Sequence, residues 1–293
     1  MSKIILMSDS SCDLSNTLIN KYDIHLVPFY ISFDTQTYYK ENIDITIDEL
    51  YRQLRSENIF PKTSLPSIND YYEKFLSIVA AKKSIICVCL SSVFSGSYNA
   101  AKTAKDIILE DFPDAQIEVI DSRSATGCQG MIVVEIAKMI EAELELSEII
   151  RITEDIKQGS RIFFYVDTLD YLEKGGRIGK AAALLGSMLN IKPVIYLQDG
   201  ELHPSSKVRG KKKAATKIIS LLCNFVENKE SDYNYAIAHA DAEFDAEHIK
   251  NLFDQSIDAP ILEEFLQIGV TIGIYTGPDT CGVCAVPKYQ LFL

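Results

Sequence analysis

The chain contains no tryptophan, so its intrinsic fluorescence rests on its 15 tyrosines. No stretch reaches the roughly 20 consecutive apolar residues that a membrane-spanning helix needs, and a soluble protein is expected. The run Ile4-Ile5-Leu6-Met7 is too short, and too soon followed by Asp9, for a secretory signal. It reads as the first buried strand. Only four histidines occur, and none forms H-x-x-x-H or H-E-x-x-H, so neither a metal site nor any other cofactor is expected. G-x-x-x-x-G-K-S/T and G-x-G-x-x-G are both missing, which weakens a nucleotide-binding reading. Positive charge is scarce too: 29 Lys and Arg against 41 Asp and Glu leave a net charge of −12. That balance argues against nonspecific binding to nucleic acid or anionic membrane.

Cysteine is present but unstructured by pattern. Seven cysteines are an odd number and sit mostly in apolar runs, which fits a reducing cytoplasm better than a disulfide framework. Cys281-Gly282-Val283-Cys284 is a C-x-x-C, yet it lies in an apolar run that reads as a strand, without further zinc ligands. It is read as structural, as are Cys87 and Cys89, which share one face of a buried strand.

What is present is an alternation of short apolar runs with helical patterns. Lys3–Met7, Ile24–Phe29, Ser84–Leu90 and Ile117–Ile120 read as strands. Between them lie a helix capped by Thr46, one capped by Ser67 with Asp70 completing a capping box, one beginning near Gly96, and one over Gly130–Ala142. This order predicts an α/β domain with a largely parallel sheet over residues 1–160. The second half mixes hairpins with helices and predicts an α+β domain with a mixed or antiparallel sheet over 161–293. Its expected strands are Arg161–Val166, Pro193–Leu197, Leu202–Val208, Tyr235–His239, Val270–Tyr275 and the run through Cys281–Val286. Asp199-Gly200 predicts a tight hairpin. Ala214–Phe225 and Ala246–Phe253 are its expected helices.

Two hydroxyl-rich loops stand out as chemistry. Thr63-Ser64 precedes Pro66 and a capped helix; Ser91-Ser92 and Ser95-Gly96-Ser97 follow the strand Ser84–Leu90. The second lies where α/β sheets place ligands, and it opens a helix whose free N–H groups suit a carboxylate or phosphate. Ordinary capping explains Ser67; for Ser95 capping and binding stand even. Asp9, at the end of the first strand, is a candidate acid for phosphate or metal chemistry. The segment Asp167–Pro193 combines Gly175-Gly176 with Lys174, Arg177 and Lys180, a plausible seat for an anion or an acidic partner, or else a helix cap with solvated cations. A second basic cluster, Lys207, Arg209, Lys211, Lys212 and Lys213, stands out against the acidic background.

The segment DTLDYLEKGGRIG…LLGSMLNIKPVI…DG, with SDSSCDL, KTSLPS, SSVFSGSYNA, DSRS, KVRGK and TGP in order, resembles the DegV family of bacterial fatty-acid-binding proteins. The resemblance implies a carrier with no catalysis of its own, holding a long-chain fatty acid between its two domains. It implies carboxylate contacts from Thr63, Ser64, Ser95, Gly96, Ser97 and Tyr275. It implies a fatty-acid kinase as partner, with Arg209, Arg177 and Lys174 as kinase or phosphate contacts, and an acyltransferase and transient membrane contact as further partners. Candidate tail contacts are the helix Gly130–Ile140 and Leu184, Leu185, Met188, Leu189 and Ile191. Tyr275 stands where many relatives have histidine, and Asp279 where they have glycine. A small-molecule enzyme using Ser95, Asp9 or Arg209, and a lipid-responsive regulatory module, are the alternatives.

Overall fold

The computed structural model describes residues 3–56, 59–186 and 190–293. The chain runs β1 (Ile4–Asp9), α1 (Asn16–Lys21), β2 (His25–Val27), β3 (Tyr30–Ser32), β4 (Tyr39–Lys40), α2 (Ile47–Ser56), β5 (Lys62–Ser64) and α3 (Ile68–Ala80). Then come β6 (Ser84–Cys89), α4 (Ser97–Asp111), β7 (Ile117–Asp121), α5 (Thr126–Glu141), α6 (Leu146–Gly159), β8 (Arg161–Tyr165) and α7 (Asp170–Lys174). It ends with β9 (Ile191–Gln198), β10 (Glu201–Arg209), α8 (Lys211–Val226), β11 (Tyr233–His239), α9 (Glu243–Ser256), β12 (Leu266–Gln267), α10 (Val270–Thr276) and β13 (Cys281–Pro287).

The first sheet has the order β2-β1-β6-β7 with every pair parallel. Its strands alternate by face as the pleat requires. Ile5, Met7, Ile85 and Cys87 join Tyr71, Phe75 and Ala101 of α3 and α4, while Leu6, Ile86 and Val88 face α5. The second sheet has the order β10-β9-β8-β13-β11-β12 and is antiparallel except for the β11–β12 pair. Phe163, Tyr165, Ile237 and Val283 pack on α8 and α9; Ile162, Phe164, Ala236 and Cys284 turn the other way. The result is the mixed α/β architecture expected. The capping box of Ser67 and Asp70 is present, and Asp199 (φ 52°) with Gly200 (φ 81°) makes the expected hairpin turn.

Helix α5 is the shared element. It packs against β1 on one side and against β11 and β13 on the other. Every residue from Thr126 to Ala137 is buried, Gln129 and Glu135 among them, so the helix has no solvent-facing side there. Helix α6 also packs on β13.

One reading of the sequence changes, one sheet is new, and two named residues cannot be compared. Val270–Tyr275 is a helix, α10, not a strand: a short run rich in β-branched residues and buried through Ile274 carries no periodicity that separates the two. A small antiparallel sheet of order β4-β3-β5 carries Thr63 and was not expected. Met188 and Leu189 lie outside the described residues.

A Cβ at Gly130 would stand 2.5 Å from the Cys12 carbonyl oxygen and 2.7 Å from Leu14 Cδ2. Helix propensity alone favours Gly130→Ala by about 1 kcal/mol. Overpacking against backbone opposes it more strongly, so Gly130→Ala is expected to destabilise by about 1–3 kcal/mol, read as a lower denaturant midpoint at unchanged slope.

Candidate functional site

The C-terminal end of β6, the end of β5, the turn after α7 and helix α10 converge on one polar corner. The Thr63 and Tyr275 hydroxyls are hydrogen-bonded to each other at 2.6 Å. Ser95 follows the turn after β6, and its Oγ accepts a hydrogen bond from the Ser97 amide at 3.2 Å. Gly96 is the residue before the first turn of α4. Arg177 reaches this corner because Gly175 and Gly176 (φ 71°) end α7 and turn the chain. Its guanidinium donates to the carbonyls of Phe94 (3.3 Å) and Gly175 (2.7 Å) and lies 5.0 Å from the centre of the Tyr275 ring.

From this corner a cavity of about 240 Å³ runs into the protein. Thr63, Ser64, Ser95, Gly96, Arg177 and Tyr275 line its polar end. The remainder is walled mainly by carbon. The first turn of α5 (Thr126, Gly127, Cys128) forms one side, and the inward face of the second sheet forms the other. Small residues are paired there in register, Ala236 opposite Cys284 and Ala238 opposite Gly282, which opens a groove across β11 and β13. A Cβ at Gly127 would stand 2.9 Å from Leu266 Cδ1, so the helix approaches this sheet closely. None of the helix residues 130–140, nor Leu184, Leu185 or Ile191, lines the cavity. The sequence signal that was overlooked is the repetition of Ala, Gly and Cys at alternate positions of two strands.

Lys174 and Arg177 border a neighbouring depression of about 310 Å³ that shares Thr63, Arg177 and Tyr275 with the cavity. The Lys174 ammonium stands 3.5 Å over the Phe60 ring, which packs on Tyr171 at 5.4 Å between centres.

Ser97, in contrast, does not line the cavity. Its hydroxyl is committed to Asp9 (2.7 Å) and Tyr71 (2.6 Å) inside the first domain's core. Arg209 is exposed at the last residue of β10 and does not line the cavity either. The positive group at the corner is therefore Arg177. Asp279 turns away to Arg55 (3.0 Å) and Lys211 (2.8 Å). Burial pushes its carboxyl up, but these two hydrogen-bonded cations outweigh that and hold it below the usual carboxylate range. Asp9 accepts from Ser11, Leu90, Ser97 and Gln129 and faces the core rather than the cavity. Among the described residues no group of three His, Cys, Asp or Glu is placed to hold a metal ion. No helix there is long and apolar enough to cross a membrane.

This is an α/β protein of two main sheets, with an apolar cavity that ends in hydroxyls and one guanidinium. Residues 3–288 match the family described as "Uncharacterised protein, DegV family", and the chain belongs to that family. A DegV domain-containing protein of Clostridium perfringens is 34% identical over 287 residues, covering 97% of each chain. A stearic acid-binding protein of Eubacterium ventriosum has the same fold, with TM-score 0.90 and 35% identity over 99% of this chain and 100% of that one. A fatty-acid-binding DegV family protein of Thermus thermophilus follows with TM-score 0.87 and 27% identity, covering 98% of this chain and 100% of that one.

Behind the cavity wall Asp13 and Glu41 are both buried. Glu41 accepts from the Thr271 amide and hydroxyl, each at 2.7 Å. No well-formed hydrogen bond satisfies either Asp13 oxygen, although Thr126 Oγ1 and the Gly269 amide lie close by. Burial, then the charge of Glu41, push the Asp13 carboxyl well above its ordinary value. The folded state thus holds this proton more tightly than the unfolded chain. The stabilising effect is complete below the ordinary carboxylate pKa and is lost as pH rises toward the raised value. Asparagine accepts the φ of 49° at this position. Asp13→Asn is expected to raise the melting temperature at pH 8 more than at pH 5, measured by calorimetry across that range.

Proposed function

We propose that this protein binds one long-chain fatty acid, with its carboxylate at the Thr63–Ser95–Arg177–Tyr275 corner and its tail between α5 and the second sheet. The observation that carries this reading is the cavity itself, carbon-walled along its length and polar at one end. The stearic acid-binding relative supports it. The division at about residue 160 is kept as a working description, with the acid lying between the two parts.

Magnitudes assign the roles. Each methylene moved out of water contributes about 0.8 kcal/mol, so a tail of ordinary length dominates affinity. A hydrogen bond to a charged group adds about 1.5–3 kcal/mol. The head-group contacts therefore set orientation and exclude uncharged chains. The Thr63–Tyr275 pair leaves one hydroxyl proton free to donate to a carboxylate, and Arg177 supplies the compensating charge. Ser64 and the Gly96 amide region complete the corner.

The finer reading is a cytoplasmic carrier, itself without catalysis, that presents the bound acid to a fatty-acid kinase. Arg177 and Lys174, which border the depression beside the polar corner, are the groups that would meet the phosphoryl group in this reading. Arg209, exposed and without an ion pair among the described residues, serves partner contact.

Native mass spectrometry of the purified protein, with organic extraction, is expected to show one fatty acid per chain. An empty protein that also fails to take up added stearate overturns the reading. Ala236→Phe fills the groove and is expected to weaken stearate binding at least about tenfold, or ~1.4 kcal/mol. Unchanged stearate affinity would move the tail elsewhere. With a cognate kinase, Arg209→Ala is expected to preserve stearate affinity while slowing acyl-phosphate formation; loss of both would end this division of labour.

A further inference from the structure

Ser95 lines the cavity and Ser97, two residues on, does not. Ser97 is fully buried, and its hydroxyl donates to Asp9 Oδ2 at 2.7 Å. With that proton committed, the 2.6 Å contact with Tyr71 is a hydrogen bond donated by the phenol. The same Asp9 oxygen accepts from the Leu90 amide at 2.8 Å. One buried carboxylate oxygen thus holds both ends of the Leu90–Ser97 loop that follows β6. Phe94, Ser95 and Gly96, which lie between those ends, all line the cavity. The other oxygen, Oδ1, accepts from Ser11 (2.6 Å) and from Gln129 of α5 (2.8 Å).

The start of α4 needs such an anchor. Its N-cap is Gly96, which has no side chain to bond the free amides of the first turn. The Ser97 amide instead donates to Ser95 Oγ at 3.2 Å. That bond occupies an acceptor position of the Ser95 hydroxyl and leaves its proton without a partner among the described residues. Ser95 is therefore available to the corner as a donor. The direction of that donor depends on where Ser97 stands, and Ser97 stands where Asp9 holds it.

We propose that Ser97 is a positioning residue for the acyl head group: bonded to Asp9, it sets the loop so that Ser95 gives its hydroxyl proton to the carboxylate. The inference rests on the fatty-acid reading above. It gives Ser97 a part in head-group selection without contact. A carboxylate gains most from an aimed donor, because a hydrogen bond to an ionised group is about twice as strong as one between neutral groups. The tail lies against carbon and does not sense Ser95. Loss of the anchor therefore reduces discrimination between head groups rather than affinity for an acyl chain.

The test compares stearate with octadecanol, which shares its tail and lacks its charge. Affinities of the full-length protein are measured by competition against a fluorescent acyl probe. The readout is the ratio of the two affinities. Ser97→Ala is expected to lower that ratio about tenfold while octadecanol affinity stays within about twofold. Ser95→Ala is expected to lower it at least as far. The double variant should match Ser95→Ala alone, because Ser97 acts through Ser95. Tyr71→Phe, which leaves the Ser97–Asp9 bond in place, should keep the wild-type ratio. Thermal melts establish that each variant is folded. If Ser97→Ala is not, Ser97→Cys, close in shape and a weaker donor, carries the test with the same expected direction. An unchanged ratio, an equal fall in both affinities, or additive losses in the double variant would each overturn the proposal. Stearate uptake by the wild-type protein separates the two claims: uptake with an unchanged ratio in the variant removes this inference alone, and no uptake removes both.

Discussion

Everything at the site depends on burying one helix between two sheets. α5 has no solvent face along its first three turns, so each sheet must meet it at backbone distance. Gly130 meets this demand on the first-sheet side, where a Cβ would strike the Cys12 carbonyl. Gly127 meets it on the second-sheet side, against Leu266. Gln129 then ties the helix to β1, its amide donating to Ser8 Oγ (3.2 Å) and Asp9 (2.8 Å) and accepting from Ser11 (3.0 Å). A helix pinned this way cannot slide to fill space at its own start. The small residues of β11 and β13 leave that space open, and the cavity is the consequence.

Electrostatics at the polar corner work by local arrangement within an acidic chain. A net charge of −12 would repel a carboxylate approaching from water. Near the corner the acids are neutralised by specific partners. Asp279 is held by Arg55 and Lys211, and the same Arg55 pairs with Asp241 at 2.5 Å. Arg177 keeps its charge free of any carboxylate among the described residues, bonding only to carbonyls. Hydroxyls supply the remaining donors without adding charge. Such a corner accepts one negative charge and offers little to a neutral head group.

Much of this was legible in the sequence, where local rules govern. The β6 strand, the Ser67–Asp70 capping box and the Asp199-Gly200 turn each follow from a few adjacent residues. The loops carrying Thr63 and Ser95 were marked by their hydroxyls, and Arg177 by the paired glycines that aim it. The failures share one cause, that tertiary context decided. α10 reads as a strand because burial erases the helical period. Ser97 looks equivalent to Ser95, yet as the first residue of α4 its hydroxyl meets Asp9 and Tyr71. The groove needed a register between β11 and β13 that no local pattern specifies.

The cavity walls are also core residues, and this links binding to folding. Ile162, Phe164, Leu197, Ala236 and Cys284 belong to the main hydrophobic cluster that joins the two sheets through α5. Truncating one of these side chains would cost packing as well as reshape the cavity, since buried large-to-small changes destabilise by about 2–5 kcal/mol, a large fraction of the roughly 5–15 kcal/mol by which domains are ordinarily stable. A substitution in those walls therefore changes the joint between the sheets and the cavity together, whereas Ser95 and Arg177 at the polar corner lie in turns outside that cluster.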